Sequence, residues 1–398
     1  MKILYCHDNF YMPSSDGTVY SAAQFPYVYF DPFLKAFDEL RVVARHAELP
    51  VDKAQDFNIA SGDNVSFRLL PNINSPKGLI KHYKHVKKTL QEELEQVDGV
   101  IIRAVSDMGW ILYKLAKKSG KPIAMEMAAC AWDSTWNHGN RYGKIYAPVR
   151  YYRDKIITRN ADYVLYVSHD FLPNRFPTNA VTAFASNVRI DRPSNDTLDR
   201  KIAKIKELYD TDKPITIGLI GTLKNKLKGV ADALHAIKKI EDRCNKNIVF
   251  RVLGPGDPQD YRALEKSLNL KSTVHYDGLL QTGSEVLSWL DNINIYVQPS
   301  YQEGVPRATI EAMSRACPVI GSTAGGIPEL LPQKWLHKPG DIKTLSSLIL
   351  KMANDPLNQI SNANKNFEKS SDYASDVLMP IRIEFWKDFA KYIVSKQL

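Results

Sequence analysis

Cysteine is scarce: only Cys6, Cys130, Cys244 and Cys317 occur in 398 residues, and no two of them form a C-x-x-C pair. That scarcity excludes a zinc-ribbon site and a disulfide framework and points to a reducing cytoplasm. Long apolar runs are lacking as well. None approaches the roughly 20 residues that a spanning helix requires, so no membrane-embedded fold is expected. The opening Met1-Lys2-Ile3-Leu4-Tyr5-Cys6 is too short for a signal-peptide apolar region and reads as a buried strand. No G-x-G-x-x-G followed by an acid is present, which argues against dinucleotide oxidation. Acidic residues are outnumbered, giving a formal charge of +9, so anionic partners are favoured. With no helix-turn-helix, RNP or zinc signature, nucleic acid is not among them.

What is present is ordinary globular composition, 44% hydrophobic and 24% charged, on a chain long enough for two domains. Short β-branched runs at 2–6, 40–44, 65–69, 100–103, 123–127 and 163–167 alternate with amphipathic segments. Such alternation predicts a parallel sheet covered by helices. After the polar stretch 187–196 the pattern restarts, with strands expected at 215–220, 248–253, 273–276, 293–297 and 318–321. Ligand sites in such sheets lie at the carboxyl ends of the strands, so the loops there are where chemistry is sought.

The most informative loop runs Pro299-Ser300-Tyr301-Gln302-Glu303-Gly304-Val305-Pro306-Arg307-Ala308-Thr309-Ile310-Glu311-Ala312-Met313. A strand leads through it into a helix opened by Pro306, whose free amides at 305–308 suit a phosphate. Carboxylates buried beside an anion need hydrogen-bond donors, and sugar and ribose hydroxyls supply them, so Glu303 and Glu311 read as polyol contacts. A second loop, Gly221-Thr222-Leu223-Lys224-Asn225-Lys226-Leu227-Lys228-Gly229, combines a close-approach glycine with lysines within reach of phosphate oxygens.

Glu303 and Glu311 enclose seven residues, a spacing that resembles the E-x7-E signature of retaining GT-B glycosyltransferases. The surrounding residues are similar to those of glycosyltransferase family four. The resemblance implies an α/β GT-B fold of two Rossmann-like domains facing a central cleft. An acceptor domain is expected at 1–190, a donor domain at 191–372, and a closing helix at 373–398 that returns to the first domain. It implies contact of Glu303 with the donor sugar, of Glu311 with the ribose, and of Gly304, Val305, Pro306, Arg307 and Ala308 with the diphosphate. Lys228 is expected to stabilise the leaving diphosphate, with Gly221, Thr222 and Lys224 beside it. Thr222 stands where the family has arginine, which removes one expected cation. Gly254, Gly278 and Leu279 match family loops beside the donor.

In the first half, Asp16 and Gly17 stand at the family's glycine-rich loop, and Arg103 ends another strand; these are the expected acceptor contacts together with Trp132, Asp133 and Trp136. Glu126 stands close to the usual family histidine, and His138 in the next loop is expected to compensate. The resemblance implies transfer with retention from a nucleotide diphosphate sugar, needing neither cofactor nor metal. The implied acceptor is a saccharide or lipid-linked saccharide of cell-envelope, capsular or exopolysaccharide synthesis. The expected location is cytoplasmic, peripheral on the inner face of the cytoplasmic membrane. The cluster Arg141, Lys144, Arg150, Arg153, Lys155 and Arg159, interleaved with Tyr142, Tyr146, Tyr151 and Tyr152, is expected to meet an anionic membrane surface. A nucleotide-sugar epimerase of the same fold, or a catalytically silent binding subunit, stays open on these residues.

Overall fold

A computed structural model describes residues 1–22, 25–50, 57–137, 141–280 and 283–397. The chain divides into two units, Met1–Ala185 with Met379–Leu398, and Ser186–Leu378.

The strands of the first unit are β1 (Lys2–Pro13), β2 (Val19–Ser21), β3 (Glu39–His46), β4 (Asn58–Ile59), β5 (Val65–Leu70), β6 (Gly99–Arg103), β7 (Ile123–Met127), β8 (Tyr163–Tyr166) and β9 (Val181–Phe184). Its helices are α1 (Asp31–Leu34), α2 (Pro76–Glu95), α3 (Asp107–Ser119), α4 (Ala131–Trp136), α5 (Arg141–Asn160) and α6 (Phe171–Arg175). A parallel ladder runs β5-β3-β1-β6-β7-β8-β9, and antiparallel β2 and β4 extend from β1. All six strands expected in this half are present; β2, β4 and β9 were not expected, being short or mostly polar. The central strands read as continuous apolar runs because both faces are covered. Ser106 caps α3 through the Gly109 amide, and Gly120 in a left-handed conformation ends it. Helices α2, α3 and α5 each follow a parallel strand, and right-handed crossovers place them on one sheet face, where Val86, Leu90, Met108, Leu112 and Ile157 share a core.

The second unit contains α7 (Asn195–Tyr209), β10 (Ile215–Ile220), α8 (Val230–Ile240), β11 (Ile248–Leu253), α9 (Gln259–Leu268), β12 (Thr273–Gly278), α10 (Ser284–Asp291) and β13 (Ile295–Gln298). It continues with α11 (Arg307–Ser314), β14 (Val319–Ser322), α12 (Ile327–Leu330), β15 (Leu336–His337), α13 (Ile342–Ala353) and α14 (Pro356–Ser370). Its six strands are all parallel, in the order β12-β11-β10-β13-β14-β15. From β10 the chain winds outward to β12, then returns to start β13 on the other side of β10. The β10/β13 pair is therefore the topological switch point, where the loops diverge and leave a crevice.

The last helix, α15 (Ser375–Gln397), lies from Met379 onward with the first unit. Its Phe385, Trp386 and Phe389 meet Phe33, Phe37 and Tyr163, so aromatic packing holds the chain's end there.

Candidate donor site

The loops leaving β10 and β13 meet at the switch point of the second unit. Gly221 follows β10, and a Cβ placed there would stand 2.7 Å from the Lys228 Cβ, so the bare backbone lets the lysine stem pass. Gly254, at φ +154°, has no room either: its Cβ would lie 2.1 Å from the Gly221 carbonyl oxygen. The Gly254 amide donates to the Gly278 carbonyl at 2.7 Å, so the three predicted glycine turns form one continuous rim. Leu279, at its end, is exposed. The Tyr301 amide donates to the Leu227 carbonyl at 2.8 Å, which latches the lysine loop onto the exit of β13.

Glu303 is the hub of that junction. The residue is 9% exposed, and its Oε1 accepts from Lys228 Nζ at 2.6 Å, Ser300 Oγ at 2.7 Å and Gln298 Nε2 at 3.1 Å. The Tyr296 hydroxyl donates to Gln298 Oε1 at 2.6 Å and fixes the amide's orientation. Gln298 and Tyr296 were not singled out from sequence, and Ser300 only as the start of the loop, without a role. Their signal is alternation: residues 296, 298 and 300 are polar at every second position of an otherwise buried strand and its exit.

Glu311 lies on α11, half-buried; burial raises its carboxyl and Arg307 counters that. The helix starts at Arg307, one residue later than expected: Pro306 is its extended N-cap at φ −72° and ψ 115°. Gly304 is held by the Gly326 amide, which donates to its carbonyl at 2.6 Å, and Val305 is buried. Ala308 is half-buried and Arg307 exposed.

Thr222 does not act as a free phosphate contact. Its hydroxyl donates to the Pro255 carbonyl at 3.1 Å and accepts the Lys224 amide at 3.2 Å, so it stitches the loop. Lys224 is exposed. The pair Asp210-Thr211-Asp212 has D-x-D spacing but precedes β10, at the edge of the sheet opposite the donor loops.

In the first unit the structure corrects several expectations. Glu126 is fully buried and cannot meet a substrate. Its oxygens take Tyr5 and Tyr29 hydroxyls at 2.8 Å each, Arg103 at 2.5 Å, and Arg382 of α15. Burial would raise this carboxyl, but Arg103 and Arg382 outweigh it and hold it well below the usual range. Arg103 is consumed by the same network rather than left for an acceptor. Asp133 is engaged by Arg175 through both oxygens, at 3.0 and 2.9 Å. Trp132 and Trp136 stack on each other at 5.2 Å, and Trp132 packs edge-on against Tyr151. Asp16 accepts the Thr18 amide at 2.9 Å, and Gly17 at φ +89° completes the turn from β1 into β2; the expected acceptor loop is a hairpin tip. His138 lies outside the described residues.

The basic helix α5 also differs from expectation. Arg150 and Arg153 point inward to Asp107 at 2.9 and 3.3 Å, and Tyr146 donates to the same carboxylate at 2.9 Å. Asp107 opens α3 beside Asp8 in the middle of β1, where Asp8 accepts Ser106 Oγ at 2.6 Å and the Asp107 amide at 2.9 Å. Asp154 is buried in this cluster; burial pushes its carboxyl up to about 8, Arg150 opposes that, and Asp107 and Asp8 add to it. Neutral when folded and charged when unfolded, this group supports the fold fully below the ordinary aspartate range and loses that support as pH rises toward 8. Asp154→Asn should therefore raise stability near pH 7, on the order of a few kcal/mol at most, with the gain vanishing near pH 4. Thermal melts across that range check it; a gain independent of pH would contradict it.

A family model described as Glycosyl transferases group 1 matches residues 214–355, within the second unit. Protein CapJ of Staphylococcus aureus is 29% identical over 350 residues, covering 88% of this chain and 85% of its own. The capsular polysaccharide biosynthesis glycosyltransferase CapM of the same organism is 26% identical over 170 residues, 40% of this chain and 41% of its own. Among solved structures, Anabaena Alr3699/HepE in complex with UDP aligns over 99% of this chain and 100% of its own, with a TM-score of 0.64 at 16% identity; that likeness concerns the fold. The matched segment, the relatives and the doubled Rossmann-like architecture agree: residues 214–355 match the group 1 glycosyltransferase domain, and the chain has a GT-B fold.

Proposed function

We propose that this enzyme transfers a sugar, with retention of configuration and without a metal, from a uridine diphosphate sugar to a lipid-linked saccharide of a cell-envelope polysaccharide. The observation that carries the reading is the 2.6 Å contact between Lys228 and Glu303 at the switch point of the second unit. With no donor bound, each is the other's counter-charge. An arriving diphosphate takes Lys228 together with the first amides of α11, and Glu303 then accepts from a donor-sugar hydroxyl, oriented by Ser300 and Gln298. Glu311 has a raised carboxyl that ribose hydroxyls would satisfy. The sugar C1–oxygen bond breaks as the acceptor oxygen bonds to C1, and the acceptor proton passes to the leaving phosphate. Lysine and amides stabilise the charge that develops on the diphosphate.

The polysaccharide assignment follows CapM, whose name places it in capsular synthesis, and the uridine base follows HepE, whose structure holds UDP. No described helix is long and apolar enough to cross a membrane; in this reading the enzyme meets its lipid-linked acceptor at the inner face of the cytoplasmic membrane by surface attachment.

Lys228→Ala should weaken UDP binding by roughly 10- to 100-fold, the value of a charge-assisted hydrogen bond, and leave uridine binding nearly unchanged. Titration calorimetry in EDTA measures both. Equal losses for UDP and uridine would overturn the role of Lys228, and UDP binding that requires a divalent ion would overturn metal independence.

A further inference from the structure

We propose that the outward face of α5 is a docking surface for an anionic bilayer. The proposal rests on the reading of a lipid-linked acceptor. The helix is inverted relative to a solvated one. Its polar residues Tyr146, Arg150 and Arg153 turn inward onto Asp107 and Asp8, and Asp154 is buried. Its outward residues are Tyr142, Ile145, Val149, Tyr152 and Ile156, spaced by three and four, with Tyr142 76%, Ile145 75% and Tyr152 67% exposed. At a rise of about 1.5 Å per residue this stripe is about 21 Å long. The inward ion pairs hold the helix by one side, so the apolar side is displayed on a rigid base.

Charge selects the occupant. Lys144, Lys155 and Arg159 flank the stripe, and the one acid of α5, Asp154, is buried. Lys144 lies over the Trp136 ring at 5.7 Å, adding an aromatic edge suited to an interface. A hollow of about 430 Å³ beside the stripe is lined by Tyr152, Lys155, Ile156, Arg159, Asn160 and Pro177, which offers two cations above apolar walls, the chemistry of a lipid phosphate over its first carbons. Helix α2, on the same sheet face, repeats the pattern: Ile80 is 84% exposed among Lys77, Lys81 and Lys84, and residues 76–88 contain no acid. Both helices begin at the same edge of the parallel sheet. An apolar stripe flanked by cations, on a helix with no exposed acid, fits an anionic lipid surface, whereas the self-complementary face of a homodimer would need matching acids.

The test is sedimentation of the full chain with vesicles of phosphatidylcholine alone or with roughly one-third phosphatidylglycerol. Binding is expected only to the mixed vesicles and should fall as salt rises. Ile145→Ser with Ile156→Ser should weaken binding by about tenfold or more, and Lys155→Gln with Arg159→Gln should abolish the preference for phosphatidylglycerol. Each variant should keep the parental melting temperature and UDP affinity. Unchanged vesicle binding in both variants, equal binding to neutral vesicles, or a concentration-dependent dimer abolished by Ile145→Ser would overturn the proposal. Absence of vesicle binding with UDP affinity intact would overturn the docking surface and leave the donor reading standing.

Discussion

Glu303→Gln is expected to lower turnover by roughly 10- to 150-fold, the equivalent of a lost charge-assisted hydrogen bond of about 1.5–3 kcal/mol, with little change in melting temperature. Glutamine has the same shape and keeps one acceptor for Ser300 and Gln298, so the buried junction survives. What disappears is the negative charge that faces Lys228 and that, in the proposed complex, accepts from the donor sugar. The loss should fall on kcat more than on KM if the contact tightens as the sugar–phosphate bond breaks. Glu311→Ala should instead act on donor KM, because its proposed partner, the ribose, does not change during the reaction. Near-parental turnover of Glu303→Gln with a competent acceptor would refute the assignment.

Glu126→Ala should have the opposite signature: a loss of about 3–5 kcal/mol in stability, with turnover retained wherever the chain stays folded. The substitution leaves Arg103 and Arg382 facing each other without a counter-charge in a dry interior, and strands the Tyr5 and Tyr29 hydroxyls. Arg382 belongs to α15, so the damage includes release of the chain's last helix from the first unit. The pH dependence has a definite sign. Glu126 is ionised when folded to well below its ordinary range, so its contribution is fully present above that range and is lost as pH falls from it toward the depressed folded value. Acid unfolding should therefore be steeper in the parent than in Glu126→Gln. A variant that melts normally but has lost turnover would restore a catalytic role.

Much of this molecule is legible in one sequence because both sheets are buried on two faces. Apolar runs such as 215–220 and 248–253 then mark strands directly, and capping residues such as Ser106 and Gly120 mark helix ends. The E-x7-E loop is legible for a related reason: Glu303 and Glu311 are close in the chain, so their spacing carries their geometry. Short edge strands were not legible. Val19–Ser21 and Asn58–Ile59 are defined by pairing with β1 and with each other, not by their own composition.

The roles of individual charges divide along the same line. By itself the sequence determined the α/β class, the loop that carries Glu303 and Glu311, and the loop that carries Lys228, because each is specified by neighbours within a few residues; that Lys228 meets Glu303, 75 residues on, only the fold decided. Only the tertiary structure decided that Glu126 is a buried anchor, since its partner Arg382 is 256 residues away. It likewise decided that Arg150 and Arg153 turn inward while Ile145 and Tyr152 face out, since the carboxylates that attract those arginines sit on α3 and β1. A charge read from sequence has no direction; its counter-charge gives it one, and the fold alone brings the two together.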